Sequence, residues 1–239
     1  MKRIDGRAPD ELRLVRITPG AQSFAEGSVL IETGETRVLC AVSVEDRVPR
    51  FLHGSGQGWI TAEYGMLPRS TLTRSPRERD SRTGGRTHEI QRLIGRSLRA
   101  VVDLEKLGER TLTVDCDVLQ ADAGTRTAAI TGAYVAVYQA LLGLVKRRDI
   151  PSVPVTGAAA ATSIGVVDGR VLLDLCYEED FMAEVDFNIV MTDAGEYIEV
   201  QGTAEGRTYP KQVLDDVLDV AGRGIERLFQ AQREAIDAL

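Results

Sequence analysis

The residues best suited to chemistry lie where a strand-like segment ends and a helical segment begins. Apolar and polar residues alternate over residues 111–119, which predicts a half-buried strand, and Gly124, Thr125 and Arg126 follow shortly after it. The first amide groups of a helix have no partners within it, and with the helix dipole they form an anion site. Gly124 would let an anion approach the backbone. Thr125 would add a hydroxyl, and Arg126 a charged fork that suits phosphate oxygens.

A long helix is predicted after this strand, from residue 123 to about residue 148. Asp122 is expected to be its N-cap, because a carboxylate can accept from the free amides of the first turn. An ordinary capped helix with a solvated Arg126 fits the same pattern, so the local residues leave both interpretations open. Small residues at helical spacing predict close packing of this helix against a sheet. They are Ala128, Ala129, Gly132, Ala133, Ala136 and Ala140.

A second candidate centre is acidic. Residues 184–191 alternate between apolar and polar side chains, so Asp186 is expected on the polar face of a strand. Asp180 precedes it by six residues, close enough for the two carboxylates to converge if the chain bends between them. Converging carboxylates can hold Mg²⁺ or share a proton for general acid catalysis, whereas solvent-facing acids on an edge hairpin are the common alternative. The pairs expected across a turn at residues 194–195 are Asp186 with Thr203 and Asn188 with Gln201.

Positive charge is concentrated between residues 69 and 99, where nine arginines accompany three acidic residues. This segment therefore carries a charge of +6 in a chain whose net charge is −7, which suggests a polyanion bound at one surface. A solvated arginine-rich loop is the alternative. Residues 65–86 have neither helical nor strand periodicity, and a loop this long in a compact domain is usually functional or disordered. Its arginines are Arg69, Arg74, Arg77, Arg79, Arg82 and Arg86.

Hairpins and helices alternate along the rest of the chain. The predicted elements are an edge strand at 12–17, a hairpin of 28–32 and 36–44 with its turn at Gly34-Glu35, a strand at 59–64, a helix with Thr87 as N-cap, a strand at 155–167 that enters a hairpin at Asp168-Gly169, and a last helix with Pro210 in its first position. Hairpin, strand and helix occur once in each half. The expected fold class is therefore α/β (α+β), with residues 1–239 forming a single domain of two pseudo-repeated β-α-β units with mixed sheets and packed helices.

Composition narrows the class of protein. With 43% hydrophobic residues the chain can bury a sizeable core. It begins without the apolar run of a signal peptide, and no stretch is judged long and apolar enough to span a membrane, so a cytoplasmic protein is expected. Cys40, Cys116 and Cys176 lie far apart in strand-like runs and are expected to be buried and reduced. The sequence contains no nucleotide-binding loop, zinc-ligand spacing or catalytic triad.

Several motifs, in order, resemble the RNase PH family of bacterial phosphorolytic exoribonucleases along nearly the whole chain. They are RIDGR from Arg3, GQGWITAEY from Gly56 and EVQGTAEG from Glu199. The resemblance implies that inorganic phosphate removes nucleotides from the 3′ end of RNA, chiefly tRNA precursors. The products would be nucleoside 5′-diphosphates, and the reaction would be reversible. The resemblance also implies a homohexameric ring, a trimer of dimers.

The same resemblance implies roles for individual residues. Its phosphate site corresponds to Gly124, Thr125, Arg126 and Arg86, and its catalytic, metal-holding pair to Asp180 and Asp186, with Mg²⁺ or Mn²⁺ as the ion. The RNA-contacting arginines would be Arg69, Arg74, Arg77, Arg79 and Arg82. Ala123 departs from the family at a position where glycine is common. Two alternatives are a catalytically silent ring subunit and a hydrolytic nuclease, although the latter would need more carboxylates than this pair.

Overall fold

Two β-sheets and five α-helices make up the part of the chain that the computed structural model describes, which is residues 3–77, 84–204, 206 and 208–239. Arg79 and Arg82 lie outside these residues. The strands are β1 (Val15–Pro19), β2 (Gly27–Thr33), β3 (Thr36–Glu45), β4 (Trp59–Met66), β5 (Thr111–Gln120), β6 (Ala159–Val167), β7 (Arg170–Leu173), β8 (Val185–Thr192) and β9 (Tyr197–Ala204). The helices are α1 (Gly85–Arg99), α2 (Leu104–Leu107), α3 (Thr125–Arg147), α4 (Tyr177–Met182) and α5 (Lys211–Asp237).

The first sheet has the strand order β1-β2-β3-β5-β4. Its predicted hairpin is confirmed, because Glu32 lies opposite Arg37 and Ile31 opposite Val38 in the β2–β3 pair. The predicted edge strand is also confirmed as β1, with its bounds shifted towards the C-terminus. β4 runs parallel to β5, and α1, which lies between them in sequence, packs on β4.

The second sheet is antiparallel throughout, with the order β7-β6-β8-β9. The predicted pairs are confirmed: Asp186 lies opposite Thr203, and Asn188 lies opposite Gln201. The apolar face of β8 packs on α5 through Phe187, so the polar face is left for other contacts. Each half of the chain therefore contributes a sheet with a helix packed on it, which is the repeat that the sequence suggested. The first sheet is mixed and the second is antiparallel.

Helix α3 lies in the core between the two sheets, where it contacts β2 and β3 on one side and β6 on the other. Its small residues are buried, as predicted, and they allow this close approach. At Gly27 a side chain would collide with the α3 backbone at Ala136. The expectation that no stretch is long and apolar enough to span a membrane was wrong for α3, but 72% of its apolar stretch is buried inside the protein, as in a core helix.

Two predicted helix starts are shifted. Gly84 precedes α1, and Thr87 is buried within the first turn of that helix, where it does not cap it. Pro210 has extended backbone angles and stands just before α5, one residue ahead of the predicted position. The cysteine prediction is confirmed, because Cys40, Cys116 and Cys176 are free and buried.

A buried ion pair connects the two halves of the chain. Arg13, just before β1, donates from Nε and Nη2 to the two carboxylate oxygens of Asp174 at 3.0 and 2.6 Å, and its backbone N–H adds a third bond at 2.8 Å. Arg13 is 6% exposed and Asp174 is 4% exposed. Asp174 follows β7 in the second half, so this pair joins the start of the first sheet to the edge of the second. Both charges are satisfied, which a buried pair requires.

Replacing Arg13 with Met should lower the free energy of unfolding by about 3–5 kcal/mol, because Asp174 would remain buried without its partner. Arg16→Met provides the matched control. The Arg16 side chain is 67% exposed and lies 3.8 Å from Glu32, and loss of such a surface pair should cost about 0.5 kcal/mol or less. Urea denaturation of both variants measures the difference. Equal losses in the two variants would contradict a special role for Arg13.

Candidate active site

A cleft of about 1440 Å³ opens where the start of α3 meets α4 and the polar face of β8. It brings together residues that are far apart in sequence. The predicted site residues that line it are Arg69, Arg86, Gly124, Thr125, Arg126, Asp180 and Asp186. Arg74 and Arg77 are exposed and lie outside its walls. The two predicted centres therefore form one site within the described residues.

The loop before α3 has an unusual backbone. Ala123 and Gly124 both have left-handed angles, with φ of +57° and +62°. Glycine adopts this conformation at little cost, whereas alanine is strained in it, which gives a physical meaning to the departure at Ala123. A side chain at Gly124 would bring its Cβ to 3.0 Å from Arg13 Nη2. The loop is held by Thr36, whose Oγ1 accepts from Asp122 N–H at 2.9 Å and donates to the Ala123 carbonyl at 2.7 Å.

No side chain caps the start of α3, which begins after Gly124. The prediction that Asp122 is its N-cap is therefore wrong. The chain turns after Asp122, because residues 123 and 124 both have left-handed backbone angles. The Asp122 carboxylate oxygen Oδ1 accepts instead from the Tyr177 N–H, in the first turn of α4, at 2.9 Å. The carbonyl of Asp122 accepts from Arg13 Nη1. This arrangement leaves the first turn of α3 available to an external anion and fixes α4 beside it.

A second set of hydrogen bonds, besides that of Asp122, holds α4. The buried Arg3 donates to both carboxylate oxygens of Glu179, at 2.9 and 2.6 Å, and to the backbone carbonyl of Leu173 at 2.8 Å. Glu179 in turn accepts from the Cys176 N–H at 3.2 Å and so closes the start of the helix. Asp180 follows Glu179 directly, so its position depends on the Asp122–Tyr177 hydrogen bond and on the Arg3–Glu179 ion pair.

The cationic wall of the cleft contains Arg126 and Arg86. Arg126 Nη1 donates to Gln201 Oε1 at 2.8 Å and to Glu89 Oε1 at 3.2 Å, which ties α3 to β9 and α1. The hydroxyl of Thr125 lies 2.8 Å from that of Tyr64, which is buried on β4. Burial raises the pKa of Tyr64 despite this hydrogen bond and the nearby charges of Arg86 and Arg126, so its hydroxyl stays protonated at neutral pH.

The acidic wall contains Asp180 on α4 and Asp186 on β8. Desolvation raises the pKa of Asp180 even though the residue borders the solvent of the cleft, and Arg86, Arg126 and Arg13 offset part of this effect. Desolvation also raises the pKa of Asp186, and the charge of Asp180 raises it further, against Arg126, Arg86 and a hydrogen bond with Asn188. Two carboxylates that repel each other opposite two arginines are suited to hold a cation or a proton.

Three residues of the site were not singled out for it by the sequence. Arg13 contacts the loop before α3, and Tyr64 contacts Thr125 at the start of α3. Both are distant from these partners in sequence, and nothing in their local patterns indicates the contacts. Gln201 could have been found, because the predicted register already placed it opposite Asn188 on the polar face that carries Asp186.

An uncapped helix start with two arginines thus faces a carboxylate pair in an α/β protein with two related halves. Residues 11–142 match the 3′ exoribonuclease family, domain 1, and residues 157–224 match domain 2 of that family. A protein named Ribonuclease PH from Dehalococcoides mccartyi is 58% identical over 236 residues, which cover 98% of this chain and 97% of the relative. Its namesake from a Mycobacterium species is 58% identical over 239 residues, covering 99% and 92%. The chain therefore belongs to the 3′ exoribonuclease family.

Solved structures agree with this fold. A chain of the Archaeoglobus fulgidus exosome with RNA bound to the active site has a TM-score of 0.81 at 25% identity, covering 96% of this chain and 92% of that one. Rice Rrp46 has a TM-score of 0.79 at 20% identity, covering 98% and 100%. The predicted family and α/β fold class are confirmed.

Replacing Asp122 with Ala should lower the free energy of unfolding by about 1 kcal/mol, because α4 loses a capping carboxylate. Exoribonuclease turnover should fall by about tenfold or more, since Asp180 would no longer be held in place. Asp122→Asn, which keeps an acceptor oxygen, should lose much less of both. Urea denaturation and steady-state kinetics measure the two effects. A normal turnover number in Asp122→Ala would contradict the link between this residue and α4.

Replacing Asp186 with Asn should raise the melting temperature at pH 7 in the absence of divalent cations. The pKa of Asp186 is raised in the folded protein, so its contribution to stability is fully present below the unfolded-state pKa and is lost as the pH rises through the folded-state pKa. The ionised carboxylate therefore destabilises the fold at neutral pH. The advantage of Asn should shrink as the pH falls through the raised folded-state pKa and should be gone below about pH 4, the unfolded-state pKa. Thermal unfolding over a pH series measures this. Asp168→Asn, in an exposed turn, is the control and should show no such trend; a gain for Asp186→Asn that does not vary with pH would contradict the argument.

Proposed function

We propose that this chain is a phosphate-dependent 3′→5′ exoribonuclease that trims the 3′ ends of RNA, chiefly tRNA precursors. The observation that carries the proposal is the single cleft in which the uncapped start of α3 and Arg126 face Asp180 and Asp186. An anion site and an acid site on opposite walls suit a reaction between two phosphate groups. The family and its relatives named Ribonuclease PH support the same activity.

In the proposed reaction, an oxygen of inorganic phosphate attacks the phosphorus of the last phosphodiester bond. The new P–O bond forms as the bond to the 3′ oxygen of the preceding nucleotide breaks, and that oxygen takes a proton. The products are a nucleoside 5′-diphosphate and an RNA one nucleotide shorter with a free 3′ hydroxyl. The reverse reaction adds a nucleotide and releases phosphate. Because two anions must meet, alignment and charge neutralisation are the main requirements.

Arg126, Arg86, the Thr125 hydroxyl and the amides after Gly124 are the proposed ligands of the attacking phosphate. The hydrogen bond from Tyr64 would orient the Thr125 hydroxyl towards the anion. Arg126 already has an acidic neighbour in Glu89, so it is held in place before phosphate arrives. Asp180 is the proposed proton donor to the leaving 3′ oxygen, because it is the more exposed of the two carboxyl groups.

Asp180 and Asp186 would also hold Mg²⁺ or Mn²⁺. No group of three or more acidic, histidine or cysteine side chains suited to a metal occurs in the described parts of the chain. The pair nevertheless fits Mg²⁺, which commonly takes one or two protein carboxylates and completes its shell with water and substrate phosphate oxygens. Desolvation raises the pKa values of both residues, and a bound cation would favour their ionised forms. When bound, the ion would neutralise charge on the reacting phosphates.

RNA would be held mainly through its phosphates by Arg69, Arg74, Arg77, Arg79 and Arg82, without sequence preference. Arg69 lines the cleft, and Arg74 and Arg77 are exposed near it in sequence. We further propose a cytoplasmic homohexamer, a trimer of dimers, which would present several such loops to one RNA. Residues 1–239 would act as a single catalytic domain, since both halves contribute walls of the cleft.

The test is to incubate a 3′-extended tRNA with the protein and Mg²⁺, with and without phosphate, and to identify the mononucleotide product. Nucleoside diphosphates that form only with phosphate are the expected result. Nucleoside monophosphates without phosphate would instead indicate a hydrolytic nuclease. RNA binding without any product would indicate a silent ring subunit.

Replacing Arg126 with Ala should lower the turnover number by roughly 10²- to 10³-fold while RNA binding persists, because the attacking phosphate loses one of its two charged ligands. Arg147→Ala is the matched control, since Arg147 lies at the opposite end of the same helix, exposed and paired with Asp149. Phosphorolysis kinetics and filter binding measure the two effects. Normal activity of Arg126→Ala would show that phosphate binds elsewhere.

A further inference from the structure

Helix α4 exposes two aromatic side chains that the proposed reaction does not use. Tyr177 and Phe181 are one helical turn apart, and their ring centroids lie 6.5 Å apart with an angle of 28° between the ring planes. Tyr177 is 47% exposed and Phe181 is 80% exposed. Large aromatic rings usually contribute to a core or an interface, so a stacked pair left in solvent on a catalytic helix calls for a binding partner.

The two rings belong to the cleft. Both line it, and Asp180 is adjacent to Phe181 in the same helix. They are the aromatic side chains that line the cleft within the described ranges. The helix that carries them is anchored at its first residue by Asp122 and again by the Arg3–Glu179 pair. The Tyr177–Phe181 pair is therefore held in a defined position relative to the loop before α3.

An RNA 3′ end has chemistry that matches this pair. The arginines of the cleft can bind its phosphates, whereas the flat, apolar faces of its bases match exposed aromatic rings. Bases of single-stranded RNA stack on exposed aromatic rings, and this contact tolerates any sequence because every base has such a face. Such a contact near the scissile bond would hold each successive nucleotide at the 3′ end, whatever its base.

We propose that the Tyr177–Phe181 pair is a stacking platform for the base of one of the two nucleotides that flank the scissile phosphodiester bond. This inference rests on the proposed function, because it assumes that an RNA 3′ end enters the cleft. Phe181, the more exposed ring, makes the main contact, and Tyr177 supports it from one turn away. The pair thereby positions the substrate beside Asp180 and sets KM more than the turnover number.

The experiment compares wild type, Phe181→Ala and Phe181→Trp on three single-stranded RNAs. One RNA is intact, one lacks the base of its last nucleotide, and one lacks the base of its penultimate nucleotide. On intact RNA, Phe181→Ala should raise KM by about tenfold or more, as expected for loss of one base–aromatic stack, whereas Phe181→Trp should stay close to wild type. On the abasic RNA that lacks the stacked base, the ratio of the KM of Phe181→Ala to the KM of wild type should approach one.

Phe24→Ala is the matched control, because Phe24 is fully exposed and lies outside the cleft, and its KM should not change. Failure of wild type to release diphosphates with phosphate would count against the proposed function itself. If wild type is active and Phe181→Ala has a normal KM, the stacking platform is ruled out. A penalty that persists on both abasic RNAs would also overturn it. So would a changed oligomeric state of Phe181→Ala in sedimentation, since the rings would then belong to an interface between copies of the chain.

Discussion

The structure depends above all on the buried guanidinium of Arg13. It binds both carboxylate oxygens of Asp174, at the edge of the second sheet, and the backbone carbonyl of Asp122, in the loop that precedes α3. A charge this deeply buried is stable only when its partners are complete, so the contact fixes the geometry of everything attached to it. One side chain thus holds the loop before α3, in the first half, next to the segment before α4, in the second half.

The site keeps features that work against stability. Ala123 has a left-handed backbone, the start of α3 has no side-chain cap, and Asp180 and Asp186 have raised pKa values because they share a partly desolvated wall. Each feature lowers the free energy of unfolding. The uncapped amides of α3 are available to an anion, and the two carboxylates are available to a cation or a proton. Such features are typical of functional sites, where the rest of the fold holds them in place. Here the buried core around α3 does so.

The two halves have similar elements but different tasks. The first half supplies the helix start and the cations, and the second supplies the carboxylates on α4 and β8. The first matched family region ends at residue 142, near the end of α3, and the second begins at residue 157, just before β6, so the cleft combines residues from both. A site formed at such a junction depends on contacts between the halves. Asp122, which accepts from Tyr177, and Gln201, which accepts from Arg126, both make such contacts.

The sequence by itself determined much of the local structure and of the chemistry. Alternation and turn residues predicted the β2–β3 and β8–β9 hairpins in their observed registers, including Asp186 opposite Thr203, because side-chain periodicity and turn geometry are local properties. Residue types also marked Arg126 and Asp180 as candidates. The sequence predicted helix starts less well. Asp122 is of a residue type and at a position typical of the N-cap of α3, but it caps α4. Only the tertiary structure decided that the carboxylate of Asp122 accepts from the Tyr177 N–H, because a carboxylate bonds to whichever donor the folded chain brings near. The same tertiary contacts bring the cationic and acidic walls together in one cleft.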